Sequence, residues 1–207
     1  MATKIKLYSP PRDTSPTGIL HVQYGKTVKN LSKLADHVDN AIHGLGNLIS
    51  WLNLLMALIV LAVVILRYWF SLGSVALQES VAYLHAAIFM LGISYTLQND
   101  GHVRVDIFYR NFTRRRRAII NLIGMILFLI PTCTLIICSS WGYVLASWAI
   151  SEKSEEASGI AYVYVLKSLI LVMPALLILQ GFAGGIRNAR YLLEEKPPTK
   201  PPKLKNH

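Results

Sequence analysis

Residues 118–150 read AIINLIGMILFLIPTCTLIICSSWGYVLASWAI, a run in which Pro131 is the one strong helix breaker. About 20 consecutive apolar residues suffice for a helix to cross roughly 30 Å of hydrocarbon. Three more runs reach that length, at about 48–70, 75–98 and 161–187. None alternates apolar and polar residues at the period of a barrel strand, and open sheet edges do not survive in lipid. Composition agrees: 53% of the chain is hydrophobic and 15% charged, against about 25% charged in a soluble domain. The sequence predicts an all-α membrane protein with four transmembrane helices.

Directly before that run stands NDGHVRVDIFYRNFTRRRR (99–117), with six arginines. Six more Lys/Arg precede the first span, and the stretch after the last span is again basic. The turn between spans one and two holds little charge, and SEKSEEASG (151–159) has one Lys against three Glu. Basic short loops stay in the cytoplasm. The pattern therefore predicts both termini inside, with the turn near Gly73 and the 151–160 loop outside. Arg114, Arg115, Arg116 and Arg117 read as a topology anchor, aided by attraction to phospholipid headgroups. The loop is too short to be a nucleic-acid-binding domain, so no nucleic acid is expected as a partner.

The remaining segments divide the chain. Residues 1–29 and 191–207 are rich in Pro, Lys and polar residues and are expected to be flexible cytoplasmic ends. Residues 30–46 carry Leu31, Leu34, Val38, Ala41, Ile42 and Leu45 at helical spacing. Lys33, Asp36, Asp39, Asn40 and His43 lie opposite, and Asn30 or Ser32 is placed to cap the start. This predicts a separate amphipathic helix, either lying in the headgroup plane or packed on the protein's own spans. The transmembrane domain is expected over 47–190. Its third span is overlong, so it either tilts strongly or projects beyond the bilayer, and Pro174 marks a kink in the fourth. Cys133 and Cys138, five positions apart on one helix, face different ways and are not expected to pair.

Charge near lipid is costly and therefore diagnostic. Arg67, Glu79 and Lys167 fall toward the outer ends of their spans, where they either form one cluster or snorkel separately. His85 is the only histidine well inside a span, which weakens a haem-bearing respiratory anchor; it reads as a packing residue. Ser74 and Ser158 stand far from any deep histidine, and no P-loop, zinc spacing or catalytic carboxylate pair appears. Neither an enzyme nor a bound cofactor is expected. Gln78, His85, Gly92 and Asn99 recur every seven positions, a stripe suited to packing on protein. No inverted repeat is detectable, which disfavours a transporter or channel acting alone.

QESVAYLHAAIFMLGISYTLQNDGHVRVDIFY (78–109) resembles the signature of the small membrane subunit, the DctQ type, of tripartite ATP-independent periplasmic (TRAP) transporters. The matching elements are Glu79, Gly92 and the string containing His102, Arg104 and Asp106. SWAISEKSEEASGIAYVYVLKSLILVMPALLILQGFA (147–183) resembles the loop and last span of larger members, through Ser154, Glu155, Tyr164, Lys167 and Gln180. The resemblance implies a non-catalytic subunit of the bacterial inner membrane. It implies a heterodimer with a large permease subunit and transient contact with a periplasmic binding protein, during Na⁺-coupled uptake of an organic carboxylate or sulfonate. On that reading Gln78, His85 and Gly92 face the large subunit, and Trp148, Lys153, Glu155 and Glu156 lie beside the binding protein. Arg104 and Asp106 are expected to fix the turn after span two. The alternative from the residues is a membrane anchor of a respiratory oxidoreductase.

Overall fold

The computed structural model describes residues 16–99, 101 and 112–194, and among them all regular structure is helical. Among the described residues, four helices are long and apolar enough to cross a membrane. Helix α1 is Pro16–Trp69, α2 is Val75–Gln98, α3 is Arg114–Ala149 and α4 is Val163–Glu194. Two short connections, 70–74 and 150–162, lie at one end of the bundle, here the loop end. The end of α2 and the start of α3 lie at the other, the terminal end.

The expected separate helix at 30–46 is instead the middle of α1, which begins at Pro16 and runs unbroken for 54 residues. The physical reason is an absence of stop signals. Pro16 suits a first helical position, where its missing N–H costs nothing, and no proline follows before Pro131. Asn30 and Ser32 therefore lie within the helix and not at its start, and residues 16–29 are helical. Of the two placements left open for 30–46, packing on the protein's own spans is the one observed, against α2 and α4. The buried line is Ala35, Ile42 and Ile49, while Leu34, expected on the buried stripe, is 60% exposed. Asp39, expected on the polar side, is turned toward α2 and α4.

Helix α3 also starts earlier than the apolar run. Thr113 caps it, accepting from the Arg116 N–H at 3.4 Å, so Arg114–Arg117 form its first turn rather than a loop. Positive charge at a helix N-terminus opposes the macrodipole, so helix stability does not explain the arginines. Within its first half the helix widens into a π turn at Met125–Leu129. Pro131 lacks the N–H that would bond Leu127, and its ring would crowd that carbonyl; the wider turn just before it relieves the conflict. At 36 residues the helix is about 54 Å long.

Helix α4 is the hub. It packs on each of the other three, whereas α3 leans mainly on α4. Gly181 and Gly185 make this possible. A Cβ at Gly181 would lie 2.8 Å from Leu129, and one at Gly185 2.7 Å from the Met125 sulfur. The two glycines, four apart, are notches that receive the π turn, the small-residue packing expected between helices in lipid. Pro174 is buried inside the same uninterrupted helix. The last turn, 191–194, was expected to be tail and is helical.

Candidate functional site

At the loop end α3 closes with Ser151 at φ 48°. The Glu152 N–H donates back to the Ser147 carbonyl at 3.0 Å and the Ser151 N–H to Trp148 at 3.1 Å, a left-handed helix stop. The chain then folds on itself: the Ser154 N–H donates to the Ile160 carbonyl at 3.2 Å and the Gly159 N–H to Glu156 at 2.9 Å. Glu79, in the second turn of α2, holds this knot. Its carboxylate accepts from the Ser154 hydroxyl and from the Ile160 N–H, the latter at 2.5 Å. Gly159 lies so close that a Cβ there would sit 2.6 Å from Ser154 Cβ and 2.7 Å from Glu79 Oε1. Only a glycine lets the carboxylate approach.

The opposite side of the loop is pinned to α4. Lys167 Nζ donates to both Glu152 oxygens, at 2.7 and 2.5 Å, and lies 4.2 Å from the centre of the Tyr143 ring. The Lys167 hydrogen bond holds the Glu152 carboxyl below its ordinary value. Trp148 Nε1 donates to the Ser168 hydroxyl at 2.8 Å, and its ring meets Tyr164 edge-on at 4.7 Å. Lys153, Glu155 and Glu156 are left exposed on the surface of this braced loop.

These contacts decide the open question about Arg67, Glu79 and Lys167. They do not form one cluster. Glu79 bonds to the loop, Lys167 pairs with Glu152, and Arg67 is exposed beside Leu72 and Ser74. Glu152 was missed in the sequence because it counted as one of several loop acids. Its place directly after the helix stop, 15 residues before Lys167, was the available signal.

The α2 stripe separates into two parts. Gln78, Ala82, His85 and Phe89 are exposed, whereas Gly92 is turned toward Ile49 of α1, 3.8 Å from where its Cβ would be. A heptad falls short of two full helical turns by about 20°, so over the two heptads from Gln78 to Gly92 the stripe drifts by about 40°.

At the terminal end Asp39 ties three helices together. Its carboxylate accepts from Gln180 Nε2 at 3.1 Å and pairs with Arg187. Its backbone carbonyl accepts from Gln98 Nε2 at 2.8 Å. Gln180 is 2% exposed. Arg114 lies over the Tyr191 ring, 4.7 Å from its centre, and Arg117 Nε donates to the Phe112 carbonyl at 3.1 Å. His102, Arg104 and Asp106 lie outside the described residues.

A family model described as tripartite ATP-independent periplasmic transporters, DctQ component, matches residues 56–190, more than half of the chain. No curated protein and no solved structure matches the chain. The match covers Glu79 and Lys167 with the 150–162 loop they fasten, and also Gln180, and it lends no support to a respiratory anchor.

Proposed function

The chain belongs to the DctQ family of TRAP transporter components, and from that membership we propose that it braces the large permease subunit and helps seat the binding protein. As a DctQ component it is a small, multi-pass membrane subunit of a TRAP transporter in the bacterial inner membrane. The brace presents the exposed α2 face of Gln78, Ala82, His85 and Phe89 to the large subunit in a heterodimer. Both termini lie in the cytoplasm and the 150–162 loop lies in the periplasm, following the asymmetry of Lys and Arg. The substrate and Na⁺ sites belong to the large subunit, and the cargo is an organic carboxylate or sulfonate. This chain supplies no catalytic group.

The observation that carries this reading is the double fastening of the 150–162 loop, to α2 through Glu79 and to α4 through Lys167. A loop that only joined two spans would need neither. A fixed loop with exposed Lys153, Glu155 and Glu156 offers a preorganised polar surface, which lowers the ordering cost of binding. Such rim charges act chiefly on encounter rate. Reversing the charge at Glu155 and Glu156 together should shift the binding-protein concentration that gives half-maximal uptake, with the two membrane subunits still co-purifying. Uptake that is unchanged at every binding-protein concentration would contradict the docking role.

A further inference from the structure

One helical turn after Glu79 on α2 stands Tyr83. Residues four apart share a helix face, with about 5–6 Å between their Cβ atoms. Side chains on a helix also lean toward its N-terminus, which for α2 is the loop end. Both rules send the Tyr83 hydroxyl toward the Glu79 carboxylate. That hydroxyl is buried with no hydrogen-bond partner among the described residues. It lies in the field of two carboxylates, Glu79 first and Glu152 second.

A buried donor that faces a carboxylate ordinarily bonds to it. Here the carboxylate is taken. Glu79 accepts from the Ser154 hydroxyl through Oε1 and from the Ile160 N–H, at 2.5 Å, through Oε2. Both oxygens are thus turned to the loop, and Gly159 closes in beside Oε1. The closed loop therefore leaves Tyr83 unpaired. A buried polar group without a partner is costly, and an O–H bond to an ionised carboxylate is about twice as strong as one between neutral groups. The fastening to α4 is of another kind, an ion pair in which Lys167 Nζ donates to both Glu152 oxygens.

We propose that Tyr83 is a built-in release for the 150–162 loop, a donor that competes with Ser154 and Ile160 for the Glu79 carboxylate. As residues 154–160 lift from α2, the Ser154 hydroxyl and the Ile160 N–H pass to water, and the freed carboxylate accepts from the Tyr83 hydroxyl. No member of the set is then left buried and unpaired, so opening costs less than the loss of two hydrogen bonds would. The Glu152–Lys167 pair stays closed, and the loop swings from α4 rather than coming away. Tyr83 is a positioning residue that acts on the loop through Glu79. Elements that must move are drawn from the low-stability end of a fold, and a surface that receives a transient partner must also let it go. That use rests on the docking role proposed above; the exchange of partners needs only this chain.

The test is amide hydrogen exchange of the purified full-length chain with no binding protein present, under conditions where exchange follows the opening equilibrium. Tyr83→Phe keeps the ring and removes the hydroxyl. Exchange at Ile160 and across 154–160 should slow about tenfold, within what an unpaired buried polar group costs, while the mid-helix amides of α2 and α4 hold. In a Glu79→Ala background the same change at Tyr83 should do nothing, because the contested acceptor is gone. Unchanged exchange at Ile160 in Tyr83→Phe would overturn the proposal. So would faster exchange, which would make the hydroxyl a support of the closed loop through water. Equal slowing in the Glu79→Ala background would overturn it too, since the effect would then not pass through the carboxylate. The docking role is judged separately, by uptake after charge reversal at Glu155 and Glu156, so either can fail while the other stands.

Discussion

Replacing Gly46 by alanine probes the contact on which the α1–α2 pair closes. A Cβ there would lie 2.5 Å from both Cδ2 and Cε2 of Tyr95 and 3.0 Å from Cγ. Carbon atoms rest about 3.5–4.0 Å apart, so the overlap is about 1 Å, and an aromatic ring cannot bend away as a flexible side chain would. Overpacking of this kind costs about 1–3 kcal/mol, against a gain of about 1 kcal/mol from alanine's higher helix propensity. Gly44, two residues away on the same helix, supplies the control. Its Cβ would meet nothing within 4 Å, so Gly44→Ala collects the propensity gain alone. The difference between the two variants isolates the overlap, about 1–3 kcal/mol. For a chain of this size that corresponds to about 2–12 °C in thermal unfolding, with Gly46→Ala the lower. Adding Tyr95→Leu to Gly46→Ala should recover most of the gap, since the ring is the obstacle. Equal unfolding temperatures for Gly44→Ala and Gly46→Ala, or a gap that survives Tyr95→Leu, would refute the reasoning.

Glu79→Gln should raise amide hydrogen exchange at Ile160 and across 150–162 while leaving the mid-helix amides of α4 unchanged; an unaltered loop would mean that the carboxylate does not hold it. The Glu152–Lys167 pair should make that loop acid-sensitive with a defined sign. The Glu152 carboxyl titrates below its ordinary value of about 4.5 in the folded chain, so the stability it contributes is present above that value and is lost as pH falls through the lower folded value. Loop protection factors, corrected for the intrinsic pH dependence of amide exchange, should be flat from neutrality and fall only below that range, and Lys167→Met should remove the fall. In the segment between α2 and α3, Arg104→Ala should weaken co-purification of the large subunit more than Arg115→Ala does; equal effects would assign Arg104 no special part.

Much of this was readable in advance, for physical reasons that differ from element to element. A bilayer demands long apolar runs with satisfied backbones, so the number and rough limits of the spans follow from composition alone. Helix ends were less legible. Thr113 caps α3 four residues before the apolar run begins, and α1 extends some 30 residues before its own, because capping and the lack of breakers, not hydropathy, set those ends. The amphipathic reading of 30–46 ranked residues by greasiness and so placed Asp39 outside. In the bundle small Ala35 and Gly46 let neighbours approach, and Asp39 faces them. Lys167 was singled out as a charge near lipid with Arg67 and Glu79 as its candidate partners, and its partner is instead the loop residue Glu152.

What the amino-acid order alone determines here is therefore the solvent: which segments leave water and how many there are. That information is local, since each run of about 20 residues meets the lipid independently of the others. What tertiary structure alone decides is which polar groups meet. Gln180 and Asp39 are 141 residues apart, Glu79 and Ile160 are 81 apart, and each pair forms only once α4 has packed against α1 and α2. The groove of about 920 Å³ lined by Gln98 of α2, Phe128 of α3 and Leu177 of α4 belongs to the same class. It is a space left where α3 rests on α4 without reaching α2, and no stretch of sequence encodes a gap between two others.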